Sequence, residues 1–243
     1  MIFKRKSFHL FRDRAGDMIE EQICRLENFI SQVKPLDPEI KTEIRIVPES
    51  ETTCKRGAQY CILFYSEKKK GYLRNIGYIG EQIELYLASE NIGSLWFGIG
   101  KTEQKQINGL DYVIMIAIAS MPREKFRRDM FKAKRKPLTE VWKGEDLGVA
   151  DIVRFAPSAC NTQPWYTENE GNRLKVYRYR KTGKRGIMPA DMVAYYNRID
   201  IGIYLFLLEV CLKHQNIMYD RQLFDDETDD QEFSISAQYV LRR

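Results

Sequence analysis

Histidine is nearly absent from this 243-residue chain: only His9 and His214 occur. Two imidazoles that far apart argue against a His-based metal cluster. Cysteine is sparse and unpatterned. Cys24, Cys54, Cys61, Cys160 and Cys211 form an odd count with no C-x-x-C and no regular spacing, which reads as reduced thiols in a cytoplasmic protein. Long apolar runs are missing too. The longest, residues 201–208, falls far short of the roughly 20 residues a membrane span needs, so no membrane association is expected. The basic stretch 1–14 is not followed by an apolar segment of about 7–15 residues, so no signal peptide is expected. Neither a Ser-His-Asp set nor a paired-carboxylate set is visible. Charge of one sign is not in large excess: 39 basic against 34 acidic residues leave +5. This mild balance, with cations interleaved among acids, suits an anionic small molecule better than a nucleic acid. A hydrophobic content of 44% with 12% aromatic residues excludes disorder and supports a full core.

What the chain does have is a distinctive string at 154–165, R-F-A-P-S-A-C-N-T-Q-P-W. Apolar positions at 141, 147, 149, 152, 153 and 156 precede it, and the period predicts a helix over 138–156 that Pro157 stops. Small polar residues follow, closed by Pro164 and Trp165. Such a segment is either an ordinary helix-ending turn or a surface that lies flat against a planar ligand.

The rest of the chain reads as alternating helices and strands. A helix is predicted over 17–33 with Asp17 as its N-cap and Pro35 and Pro38 beyond its end. Strands are predicted at 43–47, 58–65 and 112–119. Residues 72–92 read as a long helix, apolar nearly all round and therefore central, in which Gly77 and Gly80 permit close approach by a neighbour. The string G-I-G-K-T at 98–102 resembles a phosphate loop, but that pattern requires glycine where Leu95 stands, and no long helix follows; the phosphate loop is rejected. Residues 123–136 carry eight basic residues against two acidic ones, either a solvated face or an anion patch; a nucleic-acid reading lacks aromatic–basic alternation. The second half repeats the element order of the first: helix 138–156 answers 17–34, strand 174–179 the early strands, helix 192–216 the central helix, and strand 232–241 answers 112–119. Ile201-Gly202 is set beside Ile79-Gly80. Residues 224–232, with six acids, read as an exposed loop.

Three strings together carry a resemblance: R-K-S-x-H-x-F at 5–11, I-G-S-L-W at 92–96 and A-P-S-A-C-N-T-Q-P-W at 156–165. They resemble motifs of the FMN-dependent nitroreductase family, in particular a subgroup in which one chain supplies both halves of the usual homodimeric site. The resemblance implies an α+β fold, a mixed or antiparallel sheet flanked by helices, forming one nitroreductase-like domain over 1–243 with pseudo-symmetric halves at about 1–136 and 137–243. It implies FMN between the halves, with Arg5, Lys6 and Arg135 at the phosphate and ribityl end and Ser7 in the same string. His9 stands where a second cation is usual, and histidine carries that charge only when protonated. Pro157, Ser158, Ala159, Cys160 and Asn161 would line the isoalloxazine, and Gly93 and Ser94 would offer backbone N–H. The implied activity is reduction of a small-molecule electron acceptor, nitroaromatic, quinone or similar, with NADH or NADPH as reductant, by a monomer or loose homodimer. A flavin-binding protein for storage or redox sensing is the alternative.

Overall fold

The computed structural model describes residues 1–129, 133–180, 183, 186–225, 227–228 and 232–242. The chain forms two compact units, one comprising Met1–Tyr72 with Ile79–Lys132 and the other Leu73–Tyr78 with Ala133–Arg243. The fold is α+β, with a five-stranded sheet in each unit rather than one continuous sheet.

In the first unit, helix α1 (Glu20–Ile30) is followed by β1 (Thr42–Pro48), β2 (Tyr60–Ser66), α2 (Tyr72–Ser89), β3 (Ile92–Trp96), β4 (Gln106–Ile107) and β5 (Leu110–Ser120). The strands lie in the order β1-β2-β5-β3, all antiparallel, with β4 paired to β5. Helix α1 is shorter than its sequence period suggests. It starts at Glu20, and Asp17 accepts a hydrogen bond from Gln59 (3.0 Å) instead of capping it. The Gln22 side chain reaches back to the Ile19 N–H (3.1 Å), and that contact, three residues into the helix, marks the start. Helix α2 is buried nearly all round, as its composition requires. It stops at Ser89 because Asn91 takes φ 59°, and Ile92 then opens β3.

The second unit contains β6 (Trp142–Lys143), α3 (Ala150–Val153), β7 (Trp165–Asn169), β8 (Arg173–Tyr179), α4 (Val193–His214), β9 (Met218–Leu223) and β10 (Phe233–Arg242), with strand order β6-β7-β8-β10-β9. Among the described strand pairs of this sheet, β6–β7 is parallel and the others are antiparallel. The predicted helix over 138–156 is not formed: a single 3-10 turn at Leu138–Glu140, the short β6 and the four-residue α3 take its place. Three residues with left-handed φ, Gly144 (92°), Leu147 (62°) and Gly148 (69°), interrupt it. Gly144 also lies so close to β7 that a Cβ would sit 2.3 Å from the Asn169 carbonyl. The apolar period survives as burial, since Val141, Val149, Val153 and Ala156 are all in the core. The acidic loop expected at 224–232 lies partly outside the described residues, as do 130–132 of the basic run.

The two sheets share one topology. Strands β1-β2-β5-β3 correspond in chain order and spatial order to β7-β8-β10-β9, and in each unit the long helix joins the second strand of the path to the last. Glycine governs the packing of α4 against residues 73–78 of α2. A Cβ on Gly202 would lie 1.9 Å from the Arg74 carbonyl oxygen, and one on Gly77 would lie 2.0 Å from that of Ile199. The backbones therefore touch where the sequence places a glycine on each helix. Among the described residues no helix is long and apolar enough to cross a membrane, and no group of three or more His, Cys, Asp or Glu could hold a metal ion.

Candidate functional site

The sequence-expected residues fall into two clusters, one in each unit. In the first unit, Ser7 forms a parallel bridge to Ser94, and the Phe8 N–H donates to the Ser94 carbonyl (2.9 Å), so the N-terminal stretch runs along the open edge of β3. Gly93 is closed on its Cα side by Met121 and Phe8, 2.6 and 3.0 Å from where a Cβ would stand. Beneath this edge is a buried ionic knot. Arg5, 4% exposed, donates from Nη1 to Glu84 Oε1 (3.2 Å) and to the Ser7 hydroxyl (3.4 Å). Ser94 Oγ donates to the same Glu84 oxygen (2.8 Å), and Trp96 Nε1 donates to the other (3.0 Å). Glu84 thus fixes three residues of two motif strings at once. One turn earlier on α2, Glu81 is fully buried. Burial first, and the Glu84 carboxylate second, push its carboxyl well above the ordinary range, which favours the neutral form. Arg127 lies close enough that burial and then the Arg5 charge lower its affinity for its proton. Lys6 points elsewhere: Nζ donates to the Lys125 carbonyl (3.0 Å) and stands over the Phe8 ring. His9 is exposed.

In the second unit, residues 157–163 fold into a tight turn after α3. Pro157 is buried and Ser158 and Ala159 are half-buried, while Cys160 and Asn161 are exposed. Three side-chain-bearing residues adopt left-handed backbone: Cys160 (49°), Asn161 (54°) and Gln163 (48°). Each costs about 1–3 kcal/mol unless its surroundings hold it, and here they do. The Ser158 hydroxyl accepts from the Gln163 N–H (2.9 Å), the Ala159 N–H donates to Asp200 Oδ1 (2.9 Å), and the buried Thr162 hydroxyl lies against Asn197 and Asp200. Arg135 braces the outside. Its guanidinium donates to the carbonyls of Lys134, Phe155 and Ala156 and to Asn161 Oδ1 (2.9 Å). The other end of the Asn161 amide donates to the Lys134 carbonyl (3.2 Å), and Gln163 Oε1 accepts from the Lys136 N–H (2.8 Å). Arg135 and Asn161, expected at a ligand, are thus also parts of the turn's own scaffold.

The sequence reading missed Glu84, Thr162, Asn197 and Asp200. One signal was available. Glu81, Glu84, Asp200 and Glu209 are acids set among apolar residues on two mostly apolar helices, and a charge in such a place must be paired, hydrogen-bonded or neutralised. Glu209 shows how completely this can be met: Tyr78, Tyr219, Tyr239 and Arg221 all donate to its carboxylate at 2.7–2.9 Å.

Residues 1–211 match the model of the family described as "Putative TM nitroreductase". A solved structure described as a "putative nitroreductase" of Thermotoga maritima, TM1586, matches with a TM-score of 0.60 at 21% identity, covering 98% of this chain and 89% of its own, which shows a shared fold. A nitroreductase family protein of Clostridium difficile covers 56% of this chain and 91% of its own at 14% identity and a TM-score of 0.43. A nitroreductase-like family protein of Bacillus cereus covers 56% and 89% at 13% identity and 0.37. No curated protein matches.

Proposed function

The chain belongs to the TM nitroreductase family, and on that premise we propose that it is an FMN-dependent oxidoreductase of the cytoplasm. It takes reducing equivalents from NADH or NADPH and delivers them to a small electrophilic acceptor, nitroaromatic, quinone or similar, the two substrates using the site in turn. The observation that carries the reading is the A-P-S-A-C-N-T-Q-P-W string, which folds as an exposed turn with left-handed backbone held from beneath rather than as a plain helix end.

The donor set fits a flavin. The turn offers an amide side chain that donates and accepts at once, a half-buried hydroxyl and a guanidinium that donates to main-chain carbonyls and to Asn161. FMN, when bound, supplies the uptake and release of a hydride. The protein's own residues have a lesser task. Ser158 and Asn161 would hold the ring's polar edge, Arg135 would contribute positive charge while keeping the turn in shape, and the buried scaffold beneath holds the left-handed residues in place. In the first unit, Arg5 is paired with Glu84 and Lys6 donates to the Lys125 carbonyl.

The test is direct. The purified protein should be yellow or should quench FMN fluorescence on titration, and NADH or NADPH should bleach the bound flavin. A colourless protein that leaves FMN fluorescence unchanged would end this reading.

A further inference from the structure

The buried polar group beneath the 157–163 turn poses a problem in counting protons. The Thr162 hydroxyl has one hydrogen but lies within reach of two acceptors, Asn197 Oδ1 (3.1 Å) and Asp200 Oδ2 (3.4 Å). It cannot serve both. Two arrangements resolve this. In one, Asp200 is protonated and donates to Thr162, which donates to Asn197 Oδ1. In the other, Asp200 is ionised, the Asn197 amide is turned over so that its N–H₂ donates to Thr162, and Thr162 donates to Asp200. As placed, the Asn197 amide turns Oδ1 toward Thr162 and leaves Nδ2 buried without a hydrogen-bond partner among the described residues; this orientation belongs to the first arrangement, and one amide rotation, which would give Nδ2 a partner in Thr162, leads to the second.

We infer that Asp200 is a positioning residue whose protonation holds the 157–163 turn closed, tying the shape of that turn, and the binding of any ligand on it, to pH. The direction follows from linkage. Asp200 is 3% exposed, and burial lifts its carboxyl from an ordinary 3.8 to about 8 in spite of the opposing Ala159 and Thr162 hydrogen bonds. A more open turn that admits water to the carboxylate would restore a lower value. Protons therefore favour the closed turn, and rising pH favours opening. The groups that face Asp200 are the Ala159 amide and Thr162 hydroxyl of the turn and the Asn197 amide of its own helix. Among the described residues no charged group is among the influences on it. The other titratable groups nearby are Cys160 on the turn and Tyr196 on α4, the latter raised by burial and by Cys160.

Cys160 is a built-in reporter, because it is exposed on the turn, and the exposed Cys24 on α1 is an internal reference. Alkylation of the flavin-free chain by iodoacetamide, with peptide mass spectrometry, gives the Cys160:Cys24 rate ratio between pH 6 and 9. The ratio should climb by up to about tenfold in the wild type and stay flat in Asp200→Asn, which mimics the protonated acid. Coincident profiles for the two proteins would overturn the inference. Protection of the Ala159 amide against hydrogen exchange needs no variant. Corrected for intrinsic exchange, it should fall between pH 7 and 9, and pH-independent protection would refute the coupling. The consequence for flavin rests on the function proposed above. FMN affinity that weakens with pH in the wild type but not in Asp200→Asn supports it, whereas no FMN binding at any pH would fail the cofactor reading and leave the turn coupling to stand on the first two measurements.

Discussion

Replacing Gly202 by alanine sets two known effects against each other, and the structure decides the sign. Helix propensity alone says that Gly→Ala in the middle of α4 stabilises by about 1 kcal/mol. The packing says otherwise. A Cβ there would stand 1.9 Å from the Arg74 carbonyl oxygen, 2.7 Å from the Tyr78 nitrogen and 2.8 Å from the Arg74 carbonyl carbon. Cβ contacts essentially never fall below 3.0 Å, so one helix must retreat by 3.0 − 1.9 = 1.1 Å. All three obstacles are backbone, which cannot rotate away as a side-chain tip can. Overpacking of this kind costs about 1–3 kcal/mol, and rigid obstacles place it at the upper end. The net loss is then about 2 kcal/mol, or a melting temperature lower by about 4–8 °C for a chain of this size. Thermal unfolding followed by circular dichroism measures it, with Gly77→Ala, facing the Ile199 carbonyl at 2.0 Å, as a companion expected to move the same way. A Gly202→Ala protein that melts at or above the wild-type temperature would show that the helices do not cross with backbones in contact.

Other expectations follow from the buried charges. Glu84→Ala leaves Arg5 buried without its carboxylate and should cost about 3–5 kcal/mol in chemical denaturation, whereas Glu81→Gln, at an acid whose neutral form burial favours, should change stability far less; equal effects would contradict the different roles of the two acids. Glu209→Ala removes the acceptor shared by three tyrosines and Arg221 and should likewise destabilise by about 3–5 kcal/mol. Asp200 makes stability depend on pH with a definite sign. Its folded-state value is raised from 3.8 to about 8, so across that window the folded chain holds a proton that the unfolded chain has lost, and stability falls as pH rises; Asp200→Asn should flatten the fall, and unchanged slopes in urea titrations at pH 5 and 8 would count against the burial of this acid. Arg135→Ala should weaken FMN binding by about 1.5–3 kcal/mol, through the lost charge and the loosened turn together, and an unaltered dissociation constant would remove it from the site.

How much of this was legible in advance depends on range along the chain. The 3.6-residue period of 72–92 and 192–216 and the β-rich runs at 58–65 and 112–119 fixed four main elements to within a few residues, because burial of a long helix or strand is written in every residue it contains. Of the expected element repeat, the strands and the long helix recur in one order in the two sheets, whereas the helix over 138–156 that was to answer 17–34 does not form. The short strands β6, β7 and β9 were not foreseen: two to six residues with half-exposed faces carry too little pattern. The failed helix at 138–156 had a sound apolar period, but Gly144 and Gly148 gain more from close approach and left-handed turns than a helix could return, and only the partner strand reveals that approach.

The same division holds at the candidate site. Sequence order alone determined which string would form the turn, since Pro157 and Pro164 bracket it and the small residues between them cannot build a core. It also determined the family. Tertiary structure decided what each polar residue does there. Arg5 meets Glu84 across 79 positions of chain, and Ala159 meets Asp200 across 41. A buried charge takes its state from whatever lies within a few ångströms, and those neighbours come from distant elements that only folding brings together. Thus Glu81 and Glu84, three residues apart on one helix, meet different surroundings: Glu84 accepts from an arginine, a serine and a tryptophan, whereas among the described residues neither Glu81 oxygen has a donor, and burial raises the Glu81 carboxyl well above its ordinary range.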